Sequence, residues 1–376
     1  GYTTTINNGL FTEDLISFTG TATATRTEVG TTYMGLAADQ FASDDTHNFN
    51  VTFTVVTDGF QTITPVAAEV TVTINGSKIT KTYDGAAHIA AGYAVGIDNP
   101  LYTPDDIAFT GTSTAQRTNV GTTNMGLAEG QFSNANPNFT NVKFDVTDGS
   151  LKIDPMNLTI TAGSANKTYD GTPLTSDKFD NTKPADGDTV ASVTLTGSQT
   201  NVGSSDNVAS NAKLTRGGRD VTANYAITYE KGTLAVTPLT DKVTVTITGN
   251  TGTVTYNGAA QSVTGYKVES ISNPHYTAAD FAFSGTASVT GTDADTYAMG
   301  LSAAQFRNTS ANITNVEFAV TDGSLTINPR KVTLTSATDE KVYDGQPLTN
   351  GVVTVSGDGF VKGEGAAYNV TGSQTN

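Results

Sequence analysis

The chain has no cysteine and no tryptophan, and its 376 residues carry only 20 lysines and arginines against 36 acidic side chains. Without a thiol there is no disulfide scaffold, no cysteine nucleophile and no cysteine-ligated zinc or iron–sulfur centre. A formal charge of −16 removes two further classes. Proteins that track nucleic-acid phosphates, and proteins held by charge on an anionic membrane, both need clustered basic residues. Long apolar runs are also missing: no stretch nears the roughly 18 residues of a membrane span. The segment Gly1–Asn7 has neither a basic region nor an apolar core. The expectation is therefore no membrane insertion in this segment, with any export signal or anchor lying outside it.

Catalytic patterns are equally sparse. The three histidines, His47, His88 and His275, fall at unrelated places without a recurring serine or carboxylate partner, and read as surface residues. Glycines sit in turns, not between a strand and a helix, so no phosphate-cradling loop is expected. A shape repeated in tandem rarely builds the single deep cleft that paired carboxylates need for glycoside hydrolysis. The chain is read as a non-enzyme, with no catalytic residue, no cofactor and no metal site.

Repetition dominates what is present. Four stretches approach a proline by the same route: Val56-Thr57-Asp58-Gly59 before Pro65, Val146-Thr147-Asp148-Gly149 before Pro155, Lys231-Gly232 before Pro238, and Val320-Thr321-Asp322-Gly323 before Pro329. These prolines stand 90, 83 and 91 residues apart, one small domain per period. A second motif opens each unit: Tyr83-Asp84-Gly85, Tyr169-Asp170-Gly171, Tyr256-Asn257-Gly258 and Tyr343-Asp344-Gly345. Two unit types emerge. The first carries Phe109-Thr110-Gly111-Thr112, Asn119-Val120-Gly121 and Leu127–Phe132; the second carries Pro173-Leu174-Thr175 and Thr196-Gly197-Ser198-Gln199-Thr200-Asn201, echoed at Pro347-Leu348-Thr349 and 371–376. The predicted division is a partial first-type repeat at 1–65, first-type repeats at 66–155 and 239–329, a second-type repeat at 156–238 and a partial second-type repeat at 330–376. On this alignment the sequence enters and leaves mid-repeat, as expected of a window on a longer array.

Alternations such as Val70-Thr71-Val72-Thr73-Ile74 and Val243-Thr244-Val245-Thr246-Ile247 place apolar side chains on one strand face and β-branched threonine on the other. Asp-Gly at 58–59, 148–149 and 322–323, with Lys-Gly at 231–232, predicts hairpin turns between the flanking strands. Only Leu36–Phe41, Leu127–Phe132 and Leu301–Phe306 suggest helix, and then about one turn. The predicted fold is all-β: a tandem array of small β-sandwich domains of about 83–91 residues, with short helical turns only.

The Lys-Thr-Tyr-Asp-Gly motifs, joined to Val-Thr-Asp-Gly-Ser-Leu-Lys-Ile-Asp-Pro and Thr-Gly-Ser-Gln-Thr-Asn-Val-Gly-Ser, resemble the YDG and MBG repeat domains of large bacterial surface proteins along essentially the whole chain. The resemblance implies Ig-like β-domains in an extracellular, cell-surface adhesin whose repeats mostly act as a stalk. Copies depart from the pattern: Val254 and Asn257 stand where others have lysine and aspartate, and Asp293-Ala294-Asp295-Thr296-Tyr297 stands where Glu28-Val29-Gly30-Thr31-Thr32 is seen. The former segment is similar to the tyrosine corner of Ig-like sandwiches.

The Tyr-Asp-Gly motif reads as a structural turn, since Asp or Asn bonds nearby amides and Gly permits positive φ. Ligand binding is the alternative. Lys81, Lys167 and Lys341 are candidate donors for internal isopeptide bonds, although Val254 breaks the pattern. Acidic stretches at Asp44-Asp45, Asp105-Asp106, Asp186–Asp188 and Asp293–Asp295 read as solvated surface before calcium sites. The functional expectation is a stalk of rigid domains joined by short proline linkers, whose partners are the neighbouring repeats of the same chain. Two other readings stand beside it: assembly with other copies into a multi-chain filament, and direct binding of host glycan or mucin by avidity, for which exposed aromatics would be needed; Tyr102, Tyr266 and Tyr276 are the candidates, though they read first as core tyrosines.

Overall fold

In a computed structural model, residues 1–373 are described; the Gln374-Thr375-Asn376 end of the second-type motif lies outside them. The fold is all-β, and the described residues form 34 short strands and seven single-turn 3-10 helices, with no α-helix. The chain divides into two compact units, one of 1–158 with 182–192 and 212–228, the other of 159–181 with 193–211 and 229–376.

In the first unit, Val70–Gly76 lies between Val142–Thr147, to which it is parallel, and Tyr93–Ile97, to which it is antiparallel. One residue later the chain enters a second sheet, where Lys78–Thr82 runs parallel to Ser150–Asp154 and Gly121–Asn124 completes the other side. Opening and closing strands thus switch sheets together. The second unit repeats the plan: Val243–Gly249 is parallel to Val316–Thr321, and Thr251–Thr255 is parallel to Ser324–Asn328. One core joins both sheets there. Val243, Val245 and Ile247 from one pack with Leu325 and Ile327 from the other, and Tyr276, Phe281, Phe306 and Ile313 fill the interior. Each such side chain contributes about 1.5–3 kcal/mol by leaving water, while the intervening threonines stay half-exposed.

The strand switch overturns the predicted hairpins. Val142–Thr147 and Ser150–Asp154 flank Asp148-Gly149 but pair with successive parts of one opening strand, not with each other. The same holds around Asp322-Gly323. At Asp58-Gly59 the following strand Phe60–Ile63 pairs with Gly30–Tyr33, and after Lys231 the strand Gly232–Thr237 pairs with Ala165–Thr168 and with 203–207. Gly59, Gly149, Gly232 and Gly323 all lack a positive φ, so none forms the primed turn of a tight hairpin.

These glycines are there for space. A Cβ on Gly76 would sit 2.2 Å from the amide nitrogen of Gly149, and one on Gly249 would sit 2.3 Å from that of Gly323. A Cβ on Gly232 would meet the carbonyl oxygens of Ala162 and Gly163 at 2.4 and 2.5 Å. The two switching strands therefore cross backbone on backbone. The aspartate before Gly59, Gly149 and Gly323 has a separate role: Asp58, Asp148 and Asp322 accept from the amides of Gly35 and Leu36, Gly126 and Leu127, and Gly300 and Leu301. This anchors the Met-Gly-Leu segment that leads into the predicted helical turns, found as Ala38–Gln40, Glu129–Gln131 and Ala303–Gln305.

Four further 3-10 turns lie outside the segments that suggest helix: Glu13–Leu15, Pro104–Asp106, Thr222–Asn224 and Ala278–Asp280. At two of them Asp106 and Asp280 accept from the amide and hydroxyl of Thr103 and Thr277, a local contact that outweighs the weak helix propensity of the segment.

Replacing a crossing glycine forces apart two backbones that cannot yield cheaply. Gly249→Ala is expected to destabilise by about 2 kcal/mol or more, read as a lower urea midpoint, whereas Gly130→Ala, with open space around its Cβ, should leave the midpoint nearly unchanged.

Candidate functional site

The four Tyr-Asp-Gly motifs share one local geometry. Asp84, Asp170, Asn257 and Asp344 each accept, at 2.9 Å, from the amide two residues on, that of Ala86, Thr172, Ala259 and Gln346. Gly85, Gly171, Gly258 and Gly345 follow at φ 81°, 76°, 74° and 76°. Asparagine accepts this bond as well as aspartate does, which explains its presence at 257.

The glycine does more than turn the chain. The place its Cβ would take is occupied by a side chain of the following repeat: Arg216 at Gly85, His275 at Gly171 and Val361 at Gly258. The tyrosine points the same way. Tyr83 is buried and donates to Asp188 at 3.0 Å, Tyr169 meets the His275 ring edge-on at 6.3 Å, and Tyr256 donates to Glu364. Tyr343 is 77 % exposed, and nothing lies within 4 Å of the Cβ place at Gly345. The motif is thus the socket in which one repeat receives the next.

A second contact recurs beside it. Asn138, Asn224 and Asn312 each accept through Oδ1 from the amide of a valine in the preceding repeat, Val29, Val120 and Val202, at 2.8, 2.9 and 2.8 Å. Each returns a bond from Nδ2 to the residue before that valine, Glu28, Asn119 or Asn201. The loop received is braced from within its own repeat. Arg117 donates to the carbonyls of Asn119 and Val120, both at 2.7 Å, Arg26 donates to that of Val29, and Gln199 takes the role in the second-type repeat, donating to Asn201 at 2.7 Å. Repeat 239–329 lacks the Val-Gly loop. There Tyr297 donates to the Asp293 carbonyl at 3.1 Å, the local tie of a tyrosine corner.

Sequence reasoning missed the asparagine clamp. Its signal is an asparagine directly before a buried residue at the same place in each repeat: Asn138-Phe139, Asn224-Tyr225 and Asn312-Ile313. Single asparagines in an asparagine-rich chain carry no visible period unless the copies are aligned around the buried neighbour.

The contact around Asp188, between the predicted repeats 66–155 and 156–238, is the most polar of these joints. The Asp188 side chain is fully buried and accepts from Tyr83, from Tyr225 at 2.6 Å and from Arg216 Nε at 2.5 Å. Arg216 also donates to the carbonyls of Gly85 and Asp186. Burial alone would raise the Asp188 carboxyl, but the bonds from Tyr225, Arg216 and Tyr83 outweigh it and hold the group below the ordinary 3.8. Burial, then the bond to Asp188, pushes both tyrosines above the ordinary 10.0.

Other candidate chemistries take ordinary places. Lys167 and Lys341 pair with Asp170 and Asp344 at 2.6 and 2.8 Å on partly exposed surface; Asp84 instead pairs with His88 at 3.0 Å, and Lys81 is exposed. Among the acidic stretches, Asp45 accepts from the amides of His47 and Asn48, Asp106 caps Thr103 and Asp188 belongs to the joint. Tyr102 and Tyr276 are each 2 % exposed, and Tyr266 packs against the core, so all three are core tyrosines, the first of their two readings, and not exposed glycan-binding aromatics. Desolvation takes the Tyr276 hydroxyl up to about 12.

Residues 242–329 match the family model described as the MBG domain, in agreement with the resemblance read from the motifs. MBG domains occur in surface proteins; the match covers residues 242–329, less than half of the chain. No curated protein matches the chain. No helix among the described residues is long and apolar enough to cross a membrane.

The contribution of Asp188 is present above the ordinary carboxylate value and lost as pH falls through its lowered value; that of Tyr83 and Tyr225 is present below 10.0 and lost as pH rises through their raised values. Urea unfolding against pH should therefore show a plateau with losses at both ends. Asp188→Asn should cost about 2–3 kcal/mol at neutral pH and flatten the acid limb. Intact-mass measurement should show no loss of ammonia or water, since Lys167 and Lys341 lie against Asp170 and Asp344 as partly exposed ion pairs and Lys81 is exposed.

Proposed function

We propose that this chain is part of the shaft of a bacterial cell-surface adhesin, an extracellular array of β-domains that holds a binding region away from the envelope. The carrying observation is the recurring joint. Within each unit, one repeat inserts its side chain at the Tyr-Asp-Gly glycine of the repeat before it and clamps that repeat's Val-Gly loop with asparagine. Contacts of this kind restrict swing between neighbours, which a spacer needs and a string of independent binding modules does not. The partners in this reading are the adjacent repeats themselves, and no catalytic step is involved. A net negative, threonine- and asparagine-rich surface keeps a long exposed array soluble. Burial of Tyr102 and Tyr276 takes support from direct glycan binding.

The test is mass per unit length of the native material, by negative-stain microscopy with light scattering. A thin rod one chain wide is the expected result. Several chains per cross-section would replace the shaft with a filament built by pairing between chains.

A further inference from the structure

We infer that each complete first-type repeat is a shear-loaded mechanical clamp, with its opening and closing strands arranged so that tension along the chain strains a whole backbone ladder at once. This deepens the shaft reading, which supplies the tension; the geometry itself stands independently of that reading.

The ladder is long. In repeat 66–155, Val70 through Asn75 face Val142 through Thr147, and Lys78 through Thr82 face Ser150 through Asp154, all parallel. In repeat 239–329, Val243 through Thr248 face Val316 through Thr321, and Thr251 through Thr255 face Ser324 through Asn328, again parallel. Pulling the first strand toward its N-terminus and the last toward its C-terminus slides two parallel neighbours past each other. The inter-strand bonds then share the load instead of opening one by one. The glycine crossing lets the ladder continue from the first sheet into the second without ending at an edge.

The ends of the ladder coincide with the joints. At the entrance, Val66 donates to the Asn138 carbonyl at 2.8 Å, and Leu239 donates to that of Asn312 at 2.9 Å; these are the asparagines whose side chains hold the preceding repeat. At the exit, the amides of Tyr83 and Tyr256 donate to Asp154 and Asn328 at 2.8 and 2.9 Å; these are the tyrosines whose hydroxyls reach the following repeat. Within each of these repeats, force entering at one joint therefore passes through the ladder to the other.

The absence of cysteine allows direct tests by single-molecule force spectroscopy on the full chain. Pulled from its termini, the chain loads these ladders in shear. In the double variant Ala68→Cys with Asn141→Cys, held through its two thiols, the entrance of the first ladder is peeled open from one end. A second pair, Asp241→Cys with Asn315→Cys, does the same in repeat 239–329. All four positions are exposed. The peeled geometry should unfold at about one third of the end-to-end force or less, since bonds then break singly. Equal forces in the two geometries, for either pair, would overturn the clamp. A multi-chain fibre in microscopy would instead remove the shaft reading while leaving this force ratio intact.

Discussion

Two backbones in van der Waals contact at a glycine pair are the constraint on which these repeats depend. Gly76 against Gly149, and Gly249 against Gly323, let the opening and closing strands pass from one sheet to the other side by side. Only with that crossing can both sheets be built from the same two strands, and only then does one core take side chains from both. The aspartate before the closing glycine fixes the Met-Gly-Leu segment through two amides, so the crossing also organises the loop that leads into the next helical turn. A local packing condition thereby sets the topology of the domain.

The joints reuse the ends of the same strands. A tyrosine closes the ladder with its amide and reaches the next repeat with its side chain, and an asparagine opens the ladder with its carbonyl and holds the preceding repeat with its amide group. The identity of the inserted side chain varies: arginine with a buried carboxylate in one joint, histidine in the next, valine beside a glutamate in another. What stays constant is the glycine that leaves room for it. A glycine at positive φ tolerates no Cβ without strain, so the turn and the socket impose the same residue for two independent reasons.

Much of the β architecture was legible from residues alone. The Val-Thr alternations at 70–74 and 243–247 gave buried and half-exposed faces as expected, and the Leu-to-Phe segments at 36–41, 127–132 and 301–306 each hold a single helical turn. The Asp-Gly pairs misled because the dipeptide that makes a hairpin also suits a tight backbone crossing; the distinction lies in which strands lie alongside, and that is non-local. The repeated motif read only as a local turn because a period in sequence does not reveal which face of its tyrosine and glycine meets a neighbour. The asparagine clamp joins residues more than a hundred positions apart, beyond the reach of any local pattern.

The central claim is that adjacent repeats are docked, not tethered, and pulsed electron–electron spin resonance measures that most directly. With labels at Glu129→Cys and Lys213→Cys, on exposed positions either side of the first polar joint, the distance distribution should be single and narrow, and should broaden when Asp188→Asn and Asn224→Ala are added. A distribution already broad with the joint intact would contradict the account.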